Sequence, residues 1–136
     1  MLLCLNIGWK VKERYNLFLD DVRMPEQAAT YMHLRIGKRN PIYIEESWVI
    51  VRNYQEFTKE ITERGLPEFV SFDHDLADVH YHDCKEYFEY QEETGLDCAE
   101  WLVKYCREKD LELPECAVHS MNPVGTEKII RTLEEF

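Results

Sequence analysis

Four short apolar runs, each closed by a polar cluster, set the rhythm of the chain. Tyr15 to Leu19 ends at Asp20-Asp21, and Trp48 to Val51 is followed by Asn53. Phe69 to Phe72 ends at Asp73-His74-Asp75, and Cys116 to Val118 at His119-Ser120-Met121-Asn122. Runs of this length, rich in β-branched and aromatic residues, predict buried strands. The helices between them announce themselves by their caps. Asn53 with Glu56 three residues later is a capping-box signature, and Tyr54, Phe57 and Ile61 give that helix one apolar face before Gly65 and Pro67 end it. Thr94 and Asp97 cap a second helix whose face is Cys98, Trp101, Leu102, Tyr105 and Cys106. Asn122-Pro123 opens a last one with Ile129, Ile130 and Leu133 as its buried stripe.

Three stretches are less regular. After Pro25, Glu26 to Tyr31 suits a short helical turn, and then Met32, Leu34 and Ile36 alternate with polar residues. Ile42 and Ile44 alternate in the same way after the turn cluster Gly37-Lys38-Arg39-Asn40-Pro41, so a β-hairpin insertion is expected over 32–46. Residues 77–93 are acidic and aromatic, with Asp83 and Glu86 as caps for a short helix carrying Cys84, Tyr87 and Phe88. Residues 1–14 form an extension in which Leu2, Leu3, Leu5 and Ile7 add either an edge strand or a loose segment. Residues 15–136 then make one domain.

Strands alternating with helices imply a three-layer α/β fold around a short, mainly parallel sheet. In such sheets ligands bind beyond the carboxyl ends of the strands, and three polar tips fall there. An isolated Asp-x-Asp at a strand end is often no more than solvated acids. Three tips carrying acids, histidines and a hydroxyl look like one site. Asp20 and Asp21 at one tip and Asp73 at another would stand roughly 5–10 Å apart. That spacing suits a hard cation, Mg²⁺ or Mn²⁺, which takes one or two carboxylates, waters and phosphate oxygens. His74 and His119 could titrate near neutrality as general acid and base, could ligate metal, or could be satisfied core histidines. The helix start at Asn122, Pro123, Val124 and Gly125 favours an anion, with Ser120 one turn away as a donor. His80-Tyr81-His82-Asp83-Cys84 holds zinc-compatible types but lacks a second pair of ligands at suitable spacing. There is no G-x-G-x-x-G, Walker A or G-x-S-x-G stretch.

Composition narrows the partners. A chain of 136 residues with 45% hydrophobic and 12% aromatic content is expected to bury one core. Its net charge of -11 argues against duplex DNA, which needs a basic face, but leaves room for a nucleotide or an RNA end held through metal. Five cysteines without a C-x-x-C pair fit a reducing, cytoplasmic compartment. The apolar start, Met1 to Trp9, is too short for a signal-peptide core with its flanks and far too short to span a membrane.

Several stretches together resemble the cyclic-phosphate processing receiver-like family, a divergent branch of the response-regulator receiver fold. They are Leu17-Phe18-Leu19-Asp20-Asp21-Val22-Arg23, Ser71-Phe72-Asp73-His74-Asp75-Leu76, Thr94 to Leu102, and His119-Ser120-Met121-Asn122-Pro123-Val124-Gly125. The resemblance implies a receiver-like, flavodoxin-like three-layer sandwich and a metal-dependent phosphoesterase. Its substrates would be cyclic phosphates of nucleotides, ADP-ribose-type compounds or RNA ends. By the same likeness Asp20, Asp21 and Asp73 hold the cation, His74, Asp75, His119 and Ser120 are catalytic, and Arg23, Asn122 and Gly125 bind substrate. The alternative is a non-catalytic receiver-like module that binds a nucleotide or a protein partner. A phospho-accepting receiver would use Asp73 as acceptor and Ser120 as its hydroxyl switch, with a lysine at the end of a further strand. Only a helix remains after Asn122, and its one lysine, Lys128, lies inside it.

Overall fold

A computed structural model of the chain describes residues 14–36, 41–76 and 93–136. Strands β1 (Asn16–Leu19), β2 (Trp48–Val51), β3 (Phe69–Phe72) and β4 (Glu115–Val118) form one sheet in the order β2-β1-β3-β4. Every pairing is parallel. Parallel neighbours cannot be joined by a tight turn, so the connections carry helices. Helices α1 (Pro25–Ile36) and α2 (Ile42–Glu45) lie between β1 and β2 in sequence, and α3 (Tyr54–Arg64) lies between β2 and β3. Helix α4 (Gly95–Lys109) precedes β4, and α5 (Pro123–Glu134) follows it. This is the flavodoxin-like strand order, with four strands among the described residues.

Alternation along each strand sorts its side chains onto two faces. Leu17, Leu19, Val51, Val70 and Phe72 pack with Phe57 and Ile61 of α3, Cys98, Ala99, Leu102 and Cys106 of α4, and Ile129 of α5. The opposite face is smaller and more aromatic: Phe18 packs with Ala28 and Ala29 of α1 and Tyr43 of α2, flanked by Ile42, Trp48 and Ile50. Both faces are covered, which is why the strands read as largely apolar runs. No helix among the described residues is long and apolar enough to cross a membrane.

The expected caps are in place. Asn53 accepts from the Glu56 N–H at 2.8 Å. Thr94 and Asp97 form a reciprocal capping box at 2.6 and 3.4 Å, and the Asn122 side chain accepts from the Gly125 N–H at 2.9 Å.

The hairpin expected over 32–46 is not formed: Met32, Leu34 and Ile36 belong to α1, and Ile42 and Ile44 to α2. Pro25, Ala28, Ala29 and Met32 recur at the spacing of a helical stripe, and the first three are buried. Of the alternating residues, Met32 continues that stripe. In α2 the expected polarity is inverted. A strand would turn Ile42 and Ile44 to one buried face, whereas Tyr43 is buried and Ile44 is half-exposed. All but Arg14 of the extension expected over residues 1–14, the short helix expected around Asp83 and Glu86, and the His80–Cys84 cluster lie outside the described residues.

Candidate functional site

The site is built by the backbone ladder running one residue past each strand. Paired positions end at Leu19↔Phe72 and Phe72↔Val118. Beyond them the Asp73 N–H donates to the Leu19 carbonyl at 2.9 Å and the His119 N–H to the Phe72 carbonyl at 2.9 Å. On the other side of β1 the Asp20 N–H donates to the Val51 carbonyl at 3.1 Å. Asp20, Asp73 and His119 are therefore the next residues of three neighbouring strands. Alternation sets them on the same face as Phe18, Ser71 and Ala117. Among the described residues the buried polar or charged side chains are Asp20, Ser71, Asp73, His119 and Ser120, all at or beside this edge.

Asp20, Asp73 and His119 form a trio whose potential ligand atoms all lie within 4.8 Å of one another. This buried Asp-Asp-His cluster can hold a metal ion. Asp20 is held from several sides: Oδ1 accepts from the Val22 N–H at 3.0 Å and the Arg23 N–H at 2.8 Å, and Oδ2 is 3.0 Å from His119 Nε2. Burial works against its charge, but the hydrogen bonds from His119 and the two amides outweigh that and bring its carboxyl down to about 2. Asp73 lacks such donors in number. Burial first, and then the charge of Asp20, push its carboxyl up to about 7, with Arg23 opposing. Two neighbouring carboxylates with acidities pulled apart in this way mark a place where positive charge is wanted.

His119 is fully buried and stacked on Phe18, with ring centroids 4.4 Å apart and planes within 5°. Burial lowers its basicity, against the effect of the Asp20 hydrogen bond and charge. Its Nδ1 is 2.7 Å from Ser71 Oγ, which is in turn 2.6 Å from the Tyr43 hydroxyl. Tyr43 stacks on Trp48 at 5.5 Å.

The remaining expected residues surround this core at different depths. Asp21 is half-buried outside the trio, though its charge is felt at Asp73. The Arg23 side chain turns inward, with Nε 3.7 Å from Asp20 Oδ2. The His74 side chain is 16% exposed, and its Nδ1 is 2.9 Å from Oδ1 of Asp75, whose own side chain is 70% exposed. Ser120 is buried, with Oγ accepting from the Asn122 N–H at 3.0 Å. Asn122 serves as the cap of α5. Gly125 leaves room for the His74 ring, since a Cβ there would fall 2.4 Å from a ring carbon. Gly95 does the same for backbone: a Cβ would fall 1.8 Å from the Asp73 carbonyl oxygen.

Three contributors were not among the residues the sequence singled out. Tyr43 and Ser71 support His119. Arg52 donates from one guanidinium nitrogen to the carbonyls of Asp20, at 2.9 Å, and Arg23, at 2.7 Å, and so ties down the loop after β1. Ser71 alone left a trace in sequence, as a polar residue inside an apolar strand.

A parallel sheet of this order with a buried acidic cluster at the ends of β1 and β3 defines a receiver-like domain. The chain belongs to the cyclic-phosphate processing receiver domain family, whose model matches residues 15–135. No curated protein and no solved structure matches the chain.

Proposed function

We propose that this receiver-like domain is a divalent-metal-dependent phosphoesterase. It would open the cyclic phosphates of nucleotides, ADP-ribose-type compounds or RNA ends. The observation that carries this reading is the buried Asp20–Asp73 pair, with one carboxyl down at about 2 and the other up at about 7. A dication beside them offsets the burial and the Asp20 charge that together raise Asp73. The carboxylate donor set fits Mg²⁺ or Mn²⁺. Asp20 and Asp73 would hold the ion, whose chemistry when bound is to neutralise phosphate oxygens and acidify a water molecule.

The chain's own groups supply the rest. Arg23, at the rim of the acid pair, offers a cation to the phosphate, and the first turn of α5 offers the positive end of its dipole. His74 has Nδ1 engaged by Asp75, which leaves Nε2 to take a proton from the attacking water. Water adds to phosphorus, one ring P–O bond breaks, and the leaving oxygen is protonated, giving a phosphate monoester.

The test is a panel of cyclic nucleotides, cyclic-phosphate ADP-ribose compounds and 2′,3′-cyclic-ended RNA, each with Mg²⁺ or Mn²⁺ and with chelator. Ring opening is expected only with metal, and its loss is expected in Asp20→Asn. No metal-dependent product from any member would sink the enzyme and favour a module that binds a nucleotide or a protein partner.

A further inference from the structure

His119 stands between two buried partners, and the hydrogens between them can be placed by counting. Asp20 Oδ1 already accepts two backbone N–H groups, and Arg23 stands 3.7 Å from Oδ2, so this carboxylate is an acceptor. The hydrogen on the 3.0 Å contact to Oδ2 therefore sits on His119 Nε2. With the Tyr43 hydroxyl placed against Ser71 and Ser71 against Nδ1, the Ser71 hydrogen has an acceptor only if Nδ1 carries none. Ser71 then donates its one hydroxyl hydrogen across 2.7 Å to Nδ1, and Tyr43 donates its own across 2.6 Å to Ser71. One direction satisfies every group: Tyr43 to Ser71 to His119 to Asp20.

We propose that His119 is a positioning residue that aims Asp20, rather than a ligand of the cation, and that Ser71 and Tyr43 set the tautomer that makes it so. The inference rests on the reading that Asp20 and Asp73 hold a dication. For Nε2 to offer its lone pair to a metal, its proton would have to move to Nδ1. Ser71 would then have to accept on that side, and its own hydroxyl hydrogen would be left without an acceptor unless the Tyr43 hydroxyl gave up its donation to Ser71. Asp20 would lose a charge-assisted hydrogen bond in the same event. The stack on Phe18 also holds the ring plane, so Nε2 cannot swing toward another partner without leaving that face. Outer groups that orient a ligating carboxylate in this way typically change metal affinity by 10–100-fold when removed.

The experiment is nitrogen NMR of the His119 ring in the full chain, without metal and with saturating Mg²⁺, together with Mn²⁺ titration of the wild type, Ser71→Ala and Tyr43→Phe. We expect a protonated Nε2 and an accepting Nδ1 in both spectra. We expect roughly tenfold weaker Mn²⁺ binding in Ser71→Ala, and a smaller loss in Tyr43→Phe, whose Ser71 can still donate. Loss of the Nε2 proton on adding Mg²⁺ would make His119 a ligand and overturn the proposal. So would a proton on Nδ1 in the metal-free protein, or unchanged Mn²⁺ affinity in Ser71→Ala. Should Ser71→Ala fail to fold, the wild-type ring spectra decide alone. Absence of Mn²⁺ and Mg²⁺ binding by the wild type is a separate failure, that of the cation site itself, and it removes the positioning role with it.

Discussion

Asp73→Asn is expected to weaken Mn²⁺ binding by more than tenfold and, without metal, to raise the melting temperature at pH 8. The two effects share one cause. In the folded protein the Asp73 carboxyl is pushed up to about 7, by burial and then by the charge of Asp20, from an ordinary value of 3.8. Between those two pH values the folded chain holds a proton that the unfolded chain has released. Wild-type stability from this group is therefore complete below about pH 4, falls as pH rises toward 7, and stays low above it. A shift of this size corresponds to an upper scale of roughly 4 kcal/mol. Asn carries no charge and escapes that loss, so the gap between variant and wild type should widen from pH 4 to pH 8. Asp20 works in the opposite sense, its contribution being present above about pH 4 and lost as pH falls toward 2, and both proteins share it. Adding Mn²⁺ should reverse the ranking, because a ligand that binds only the folded state stabilises the protein it binds more tightly. Thermal melts from pH 4 to pH 8, with and without Mn²⁺, check both halves. Equal Mn²⁺ affinity would remove Asp73 from the cation site, and a metal-free variant no more stable than wild type at pH 8 would overturn the raised Asp73 carboxyl.

The second large effect is expected at Gly95. A methyl group there would sit 1.8 Å from the Asp73 carbonyl oxygen and 3.0 Å from the His74 Cα, both backbone atoms. The contact is pinned further by the Gly95 N–H, which donates to the His74 carbonyl at 2.8 Å. Relief requires the first turn of α4 or the tip of β3 to move, and each is anchored in the core by Cys98 and Ala99 or by Phe72. Gly95→Ala should cost on the order of 3 kcal/mol or more in urea denaturation and should displace Asp73 enough to weaken Mn²⁺ binding. Gly125→Ala is the milder comparison. Its methyl group meets the His74 ring at 2.4 Å, and a side chain partly open to solvent can turn away. About 1 kcal/mol and little change in Mn²⁺ affinity are expected there. Equal losses in the two variants would mean that the close approach at Gly95 does not set the position of Asp73.

What could be read from sequence was whatever is written locally. Asp20, Asp73 and His119 stood out because each ends an apolar run with a group that an ordinary strand end does not need. Asn53 and Thr94 stood out because a cap and its partner lie three residues apart, and Asn122 because Pro123 follows it at the first helical position. Which acid of a neighbouring set faces inward was not legible. Asp20 rather than Asp21 joins the trio because the ladder fixes its parity with Phe18, and Asp73 rather than Asp75 because it is the residue the ladder still holds just past Phe72. The support around His119 was also invisible, since Tyr43 and Ser71 are 28 residues apart and Ser71 and His119 are 48 apart. The expectation of a hairpin hid Tyr43 further, by assigning its neighbours to the buried side. Arg52 meets Asp20 across 32 residues and carries no local mark of that role.

The ladder that continues past the strands has a consequence in time as well as in space. The amide hydrogens of Asp20, Asp73 and His119 are each bonded to the carbonyl of an adjacent strand. They can trade places with solvent deuterium only when those strands part. The pocket thus has no private hinge: its donor atoms persist for as long as the centre of the sheet does, and the slow clock of those three amides keeps time for both.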